Sequence, residues 1–310
     1  MWMSVMVIFA VYAVIFILFE DYDRKMLAPF DEVSDWHLLL FSLVVMAGLA
    51  LLLYRYARHM DERISREQAE KENRMRRELT QNISHELKTP VASILGYTDT
   101  ILDNPQMDDQ TRRQFIERTH AQAQRLTALL QDISMLNRMD YAADVLSMER
   151  VDVSQIVADI AEETVLAFRQ KGMTLHNCLP HGIIIQGNPS LVYSIFRNLT
   201  DNALCYAGKE TTVEIAADEQ PDSWHFTFQD NGTGIAPEHL PRIFERFYRI
   251  DKGRSRSLGG TGLGLAIVKN AVLLHGGTIT VQNIATGGLQ FEFTLKKGWH
   301  HPHLGEVKEK

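Results

Sequence analysis

The chain opens on two stretches without a charged side chain, Trp2 to Phe19 and His37 to Tyr54. Each is close to the roughly 20 apolar residues a helix needs to cross a bilayer. The pattern predicts two transmembrane helices, at 1–19 and 37–54, joined by a short extracytoplasmic loop at 20–36. A cleaved leader is disfavoured: Met1-Trp2-Met3-Ser4 has no basic start, and Phe19-Glu20-Asp21 offers no small-residue cleavage site. The loop carries Glu20, Asp21, Asp23, Asp31, Glu32 and Asp35 against Arg24 and Lys25, whereas Arg55, Arg58 and Arg63 follow the second run. The arginine-rich side belongs in the cytoplasm, so the rest of the chain is expected there. So short a loop cannot hold a folded ligand-binding domain.

Past the second run the pattern changes. Residues 55–77 are densely charged, with scattered Met60, Ile64 and Met75 and neither Pro nor Gly, which predicts a continuous helical linker. Met75, Leu79, Ile83, Leu87, Val91 and Ile94 then recur every three or four residues. Asn104-Pro105 stops that run, and Asp108 or Asp109 is placed to cap the next. Phe115, Thr119, Gln122, Leu126, Leu129, Ile133 and Leu136 alternate in steps of four and three, a heptad seam. A helical hairpin is therefore expected at 78–140. One hairpin leaves an apolar stripe uncovered, and two would close it into a four-helix bundle, so a homodimer is predicted. The alternative packs the hairpin on the chain's own next domain, which is less attractive if that domain has a complete core.

That next domain is read at 147–297, leaving 298–310 as a polar tail. Val151-Asp152-Val153-Ser154 starts a helix to about Gln170. Strands are expected at Met173 to Leu179 and Gly182 to Gln186, and a helix from Pro189 to Ala207. Strands at Thr211 to Ala216 and Ser223 to Asp230 lead into a Gly-rich, basic stretch reaching Gly262. A helix from Leu263 to His275 and strands at Thr278 to Asn283 and Gly288 to Leu295 complete it. This mixture implies an α/β sandwich with helices on one sheet face, and the chain as a whole reads as α+β and multidomain.

Composition removes some functions. The net charge of −7 over 310 residues gives no basic footprint for nucleic acid. Cys178 and Cys205 show no metal-ligand or paired spacing and read as two reduced thiols.

The candidate chemistry sits in five short motifs. Asn82 to Pro90 places His85 and Thr89 one turn apart on one helix face, while Ile83 and Leu87 point to the seam. An exposed imidazole can act as a nucleophile, and Glu86 can accept a hydrogen bond from its other nitrogen. Pro90 removes a backbone donor and should bend the helix. Asn198 and Asn202, four apart, project from one face, and an amide oxygen suits Mg2+. Two solvent-facing asparagines are the plainer reading of that pair alone. Asp230 ends a strand and can accept a hydrogen bond from the amine of adenine, with Gly232 and Gly234 letting the backbone approach the base. Gly260-Thr261-Gly262-Leu263-Gly264 precedes a helix, so its N–H groups form an anion site for phosphates. Between the glycine clusters, Phe244-Glu245-Arg246-Phe247-Tyr248-Arg249 offers packing aromatics in Phe244 and Phe247, and a phosphate-contacting arginine.

Taken together over about Arg77 to Lys297, these motifs closely resemble a membrane-bound sensor histidine kinase of bacterial two-component systems. Ser84 to Pro90 resembles the family's H box, Asn198 to Ala203 its N box and Asp230 to Gly234 its G1 box. Phe244 to Tyr248 resembles the F box, and Gly260 to Gly264 the G2 box. The resemblance implies a dimerisation and phosphotransfer hairpin beside a Bergerat-type ATP-binding domain, in a multi-pass protein of the inner membrane. It implies ATP and Mg2+ as cofactors, autophosphorylation of His85 assisted by Glu86, and transfer to an aspartate of a cognate response regulator on another chain. Thr89 resembles the residue that helps dephosphorylate that regulator. Asn202 resembles the Mg2+ ligand, and Asn198, Asp230, Gly232, Gly234, Arg249, Gly260, Gly262, Leu263 and Gly264 the nucleotide contacts. The chain departs from the family where Cys205 replaces a common lysine and Asn188 an acidic residue. Residues 55–77 are also too short for the relay module of many relatives, so transmission through a direct helix is expected, and with so short an outer loop a membrane sensory partner or the bilayer itself is the expected source of the signal. The alternatives are a weakly catalytic nucleotide-binding scaffold and an ATPase of the gyrase or chaperone type.

Overall fold

The computed structural model describes residues 35–141, 147–250 and 260–298. The chain divides into two compact units, residues 1–76 and 77–310. The expected first span at 1–19, most of the loop at 20–36 and the tail from 299 lie outside the described residues. Helix α1 runs from Asp35 to Asp103 without a break, so the linker at 55–77 is helical throughout. It takes in the expected second span, where Leu43, Val44, Leu51 and Leu52 are exposed. Among the described residues, no helix is long and apolar enough to cross a membrane; side chains of α1 are described from Ser42 onward except at 68, 71–73, 75, 76 and 78.

In the second unit the end of α1 turns at Asn104-Pro105 into α2 (Asp109–Tyr141). Asp108 caps α2 by accepting from the Thr111 N–H at 2.8 Å, and Arg112 holds the turn through the Pro105 and Met107 carbonyls. Tyr97 and Phe115 meet across the hairpin at 5.7 Å. Every position of the α2 heptad seam is at least half-buried. On α1 the seam follows Leu79, Ile83, Leu87 and Ile94, but Val91 is exposed. Successive steps of four overrun the helical repeat by about 40° each, which carries Val91 off the face before Ile94 restores it.

The following domain begins with β1 (Glu149–Asp152) and α3 (Val153–Gln170). Then come β2 (Thr174–Asn177), β3 (Ile184–Gly187) and α4 (Pro189–Tyr206). After β4 (Thr212–Glu219), β5 (Ser223–Asp230) and a short 3-10 turn, α5 (Gly264–Leu274) leads into β6 (Ile279–Asn283) and β7 (Leu289–Lys296). A five-stranded sheet runs β2-β4-β5-β7-β6, parallel only between β2 and β4. Strand β1 was not legible: Glu149-Arg150-Val151-Asp152 holds one apolar residue among three charged ones, and the strand exists through its antiparallel pairing with β3. Alternation puts Phe226 and Phe228 of β5 and Phe291 and Phe293 of β7 inward. Phe196 of α4 closes on them, 5.4 Å from Phe226 and 5.6 Å from Phe293.

This core does not stop at the sheet domain. Leu129, Leu136 and Met139 of α2 are buried in the same apolar cluster as α4 and α5, and α2 packs against α5. The lower half of the hairpin therefore does pack on the chain's own next domain. Exposed apolar residues remain higher up, at Val91, Leu95, Leu102 and Ile116.

Candidate functional site

Asp230 ends β5 at the inward position of the strand and is buried. Its Oδ1 accepts from the Gly232 N–H at 2.8 Å. Burial pushes the carboxyl above the usual carboxylate range, and the Gly232 and Leu289 N–H groups only partly offset this. Gly232 has no room for a side chain, because a β-carbon would lie 2.2 Å from the Ala207 carbonyl oxygen at the end of α4. Gly234 adopts φ +65, and there a β-carbon would meet the Asn283 amide oxygen at 2.7 Å. Asn283, from the far end of β6, donates to the Ile235 carbonyl and accepts from its N–H. Sequence reading missed this clamp, since nothing local ties the end of β6 to a turn 48 residues earlier.

Asn188 caps α4 by accepting from the Leu191 N–H, so the change from an acidic residue keeps the cap. Further along the helix, Asn198 donates to the Ser194 carbonyl at 2.8 Å. Its amide oxygen lies against Gly264, where a β-carbon would come within 2.5 Å. The two motifs therefore touch, and a side chain at Gly264 would displace the Asn198 amide. Asn202 makes no side-chain hydrogen bond among the described residues, leaving its amide oxygen available to a cation. Cys205 follows on the same helix, and burial keeps its thiol protonated despite the nearby Lys171 ammonium. Lys171 itself donates to the Leu204 carbonyl at 2.5 Å.

The glycine run leads into α5, whose N-terminus has no side-chain cap. The first N–H groups of a helix have no partner within it, so this end suits an anion. Gly262 takes φ +75, with a β-carbon position only 3.1 Å from Arg249 Nε and Phe247 Cα. The Phe247 N–H donates to the Gly262 carbonyl at 2.8 Å, at φ +63, unusual for a residue with a side chain. That bond draws the 244–249 segment alongside the glycine run. Phe244 and Phe247 pack on the core as expected. Leu263 is fully buried and serves through its backbone alone, its N–H donating to Thr261 Oγ1. The glycine cradle, the uncapped helix end and the open Asn202 amide together fit a metal-bound polyphosphate.

His85 and Thr89 are exposed on one face of α1, bordering a shallow groove with Lys88, Ala92 and Ser93. The Thr89 hydroxyl donates to the His85 carbonyl at 3.3 Å. Pro90 lies within the unbroken helix and supplies no N–H to it. Glu86 departs from expectation. Neighbouring helix residues point about 100° apart, and Glu86 faces into the domain junction, where it meets Arg249 Nη2 at 3.1 Å and Arg125 Nη2 at 3.5 Å. Arg249 also donates to the Gly260 carbonyl at 2.6 Å. Two further tethers join the same surfaces: Thr261 donates to Asp132 at 2.7 Å, and Arg246 pairs with Asp140 at 2.7 Å. Burial raises the Asp132 carboxyl, and the Thr261 hydroxyl partly offsets this. Sequence reading overlooked Arg125, Asp132 and Asp140 because charged residues beside an apolar seam usually face solvent.

A family model described as Histidine kinase-, DNA gyrase B-, and HSP90-like ATPase matches residues 187–298. A second, described as His Kinase A (phospho-acceptor) domain, matches residues 75–142. Sensor-like histidine kinase SenX3 of Mycolicibacterium smegmatis is 33% identical over 220 residues, 71% of this chain and 57% of that protein. The solved structure of Acinetobacter baumannii histidine kinase AdeS is similar at a TM-score of 0.56 and 22% identity, over 69% of this chain and 98% of that one. Histidine kinase ThkA, solved in complex with response regulator protein TrrA, is similar at a TM-score of 0.58 and 18% identity, over 71% of this chain and 61% of that one. At those identities the two structures speak for a shared fold. The chain spans about half the length of the curated relatives it matches.

Proposed function

Since the chain belongs to the two-component sensor histidine kinase family, we propose that it phosphorylates its own His85 from ATP and passes the phosphoryl group to an aspartate of a separate response regulator. One observation carries this reading: Glu86, the residue beside His85, meets Arg249 alongside the glycine run. When bound, ATP supplies the phosphoryl group, and Mg2+ neutralises the charge that develops on it. Asp230 accepts from the adenine amine, with Gly232 and Gly234 giving the base a close backbone approach. Asn202 holds the Mg2+, with Asn198 beside it. Arg249 and the N–H groups of Gly260, Gly262, Leu263 and Gly264 receive the phosphates. A ring nitrogen of His85 forms the new bond to phosphorus as the bond to the ADP oxygen breaks. Glu86 takes up the ring proton. Thr89, one turn on, positions the water that later removes phosphate from the regulator.

The proposed architecture runs from two membrane helices at 1–19 and 37–54, through the helical linker at 55–77, to a hairpin at 78–140 and an ATP-binding domain at 147–297. The exposed leucines at 43–53 support the second span. The arginine bias beyond them favours a cytoplasmic catalytic part in an inner-membrane protein. Val91, Leu95, Leu102 and Ile116 supply the apolar surface for a homodimer. ThkA, a protein of similar fold, has been solved with its response regulator, which favours such a partner here. A membrane partner or the bilayer is proposed to deliver the stimulus.

The test is transfer of label from γ-labelled ATP to the full chain. Acid-labile, alkali-stable label that vanishes in His85→Gln is expected; label that survives the substitution overturns the assignment. A nucleotide-binding scaffold, which Cys205 would favour, should bind ATP without labelling.

A further inference from the structure

Arg249 is nearly enclosed, with 6% of its side chain exposed, yet the protein does not use all of its donors. Nη2 serves Glu86 and the Gly260 carbonyl. Nε is buried and has no hydrogen-bond partner among the described residues, and it borders the space beside Gly262 that a β-carbon would fill. A buried guanidinium N–H without an acceptor is costly, so its position argues for an acceptor arriving at the glycine run. The same guanidinium is tied to the carboxylate beside His85. Glu86 can release it without losing all positive charge nearby, because Arg125 of α2 stands 3.5 Å away.

We propose that Arg249 is a latch shared between Glu86 and the phosphates of the bound nucleotide. The inference rests on the kinase reading above and adds a regulatory link to that site. Nε and Nη2 lie on the same edge of the guanidinium, so a phosphate that takes Nε in a forked grip competes with Glu86 for Nη2, and triphosphate binding and release of Glu86 form a single equilibrium. Linkage is reciprocal: a carboxylate that holds Arg249 weakens nucleotide binding by the factor by which nucleotide weakens the carboxylate's hold. The arrangement keeps Glu86 occupied until a triphosphate is in place, and only then frees it to serve His85. The neighbouring Thr261–Asp132 and Arg246–Asp140 contacts keep the two surfaces close enough for the exchange to be local.

The experiment measures the affinity of the full chain, in detergent micelles, for a non-hydrolysable ATP analogue and for ADP. Glu86→Gln and Glu86→Ala should each bind the analogue on the order of fivefold tighter than the unsubstituted chain, with a smaller gain for ADP. The gain should vanish when either is combined with Arg249→Ala. Unchanged or weaker analogue binding in both Glu86 variants overturns the latch, as does a gain that persists without Arg249. No phosphoryl transfer occurs in this assay, so its result is independent of the labelling test. Coupling in a chain that never labels His85 would sink the kinase reading and leave the latch standing.

Discussion

Glu86 and Arg249, 163 residues apart in sequence, form an ion pair at 3.1 Å in which the arginine is almost wholly enclosed. The pair brings the helix that carries His85 to the edge of the glycine run. Arg249 thus touches both the helix that carries His85 and the glycine run, the two surfaces that the proposed reaction must join.

Replacing Arg249 with alanine should lower labelling of His85 by about 10²-fold, as expected for loss of a donor aimed at developing charge. Arg249→Lys should restore little, because an ammonium lacks the forked geometry that reaches Glu86 and Gly260 together. The measurement is the initial labelling rate at saturating ATP, and a lysine variant with full activity would contradict the role.

Asn202→Ala should separate stability from function. The amide makes no hydrogen bond within the described protein, so the urea midpoint should correspond to a change within about 0.5 kcal/mol. Mg2+-dependent nucleotide binding should fall at least about tenfold. Equal binding with and without Mg2+ in the unsubstituted chain would remove the metal from the account.

Gly232→Ala should be damaging in proportion to its clash. A β-carbon 2.2 Å from the Ala207 carbonyl cannot be accommodated by a side-chain rotation, so either the turn or the end of α4 must move. A loss of about 2–4 kcal/mol in urea unfolding is expected, together with weaker nucleotide binding. A stable variant with unchanged affinity would show that the turn is not held by this contact.

Asp230→Asn should trade binding against stability. Its raised folded-state pKa means that the fold prefers the proton more than the unfolded chain does, so its contribution is whole below about pH 3.9 and lost as pH rises through the folded value. At neutral pH the buried charge is a cost that the amide removes while still accepting from Gly232. The variant should unfold at higher urea yet bind adenine nucleotides more weakly, and tighter binding would exclude the adenine contact.

His275 provides a pH test of the fold. Its Nδ1 faces the Ala271 carbonyl at 2.7 Å and its Nε2 accepts from the Asn188 N–H at 3.1 Å, an arrangement only the neutral ring can satisfy. Burial holds its pKa below the usual histidine value. Stability from this group is therefore complete above about pH 6.5 and is lost as pH falls through the lowered folded value. Urea unfolding at a series of pH values should show a decline toward acid that His275→Gln flattens; an equal slope in both proteins would assign the decline to other groups.

The elements followed from periodicity where they were long. Alternating steps of four and three marked α2, because side-chain burial repeats with the backbone. β1 escaped because it carries one apolar residue among three charged ones, and Val91 was misplaced because a repeated step of four drifts around the helix. The glycines of the site were legible as types, but the reasons for each were not. Gly264 sits against the Asn198 amide of another helix, and Gly232 against the Ala207 carbonyl at the end of α4.

What the amino-acid sequence determined alone was local: which stretches are helix or strand, where caps and tight turns fall, and that a histidine–glutamate pair, paired asparagines and two glycine clusters coexist in one chain. Each is a pattern over a few residues, and backbone geometry converts such patterns directly into structure. Only the tertiary structure decided what Glu86 faces. A carboxylate beside His85 and an arginine beside a glycine run carry no mark of one another in sequence. Their pairing depends on α2 burying Leu129, Leu136 and Met139 in the same core as α5, and that packing sets the distance between the two.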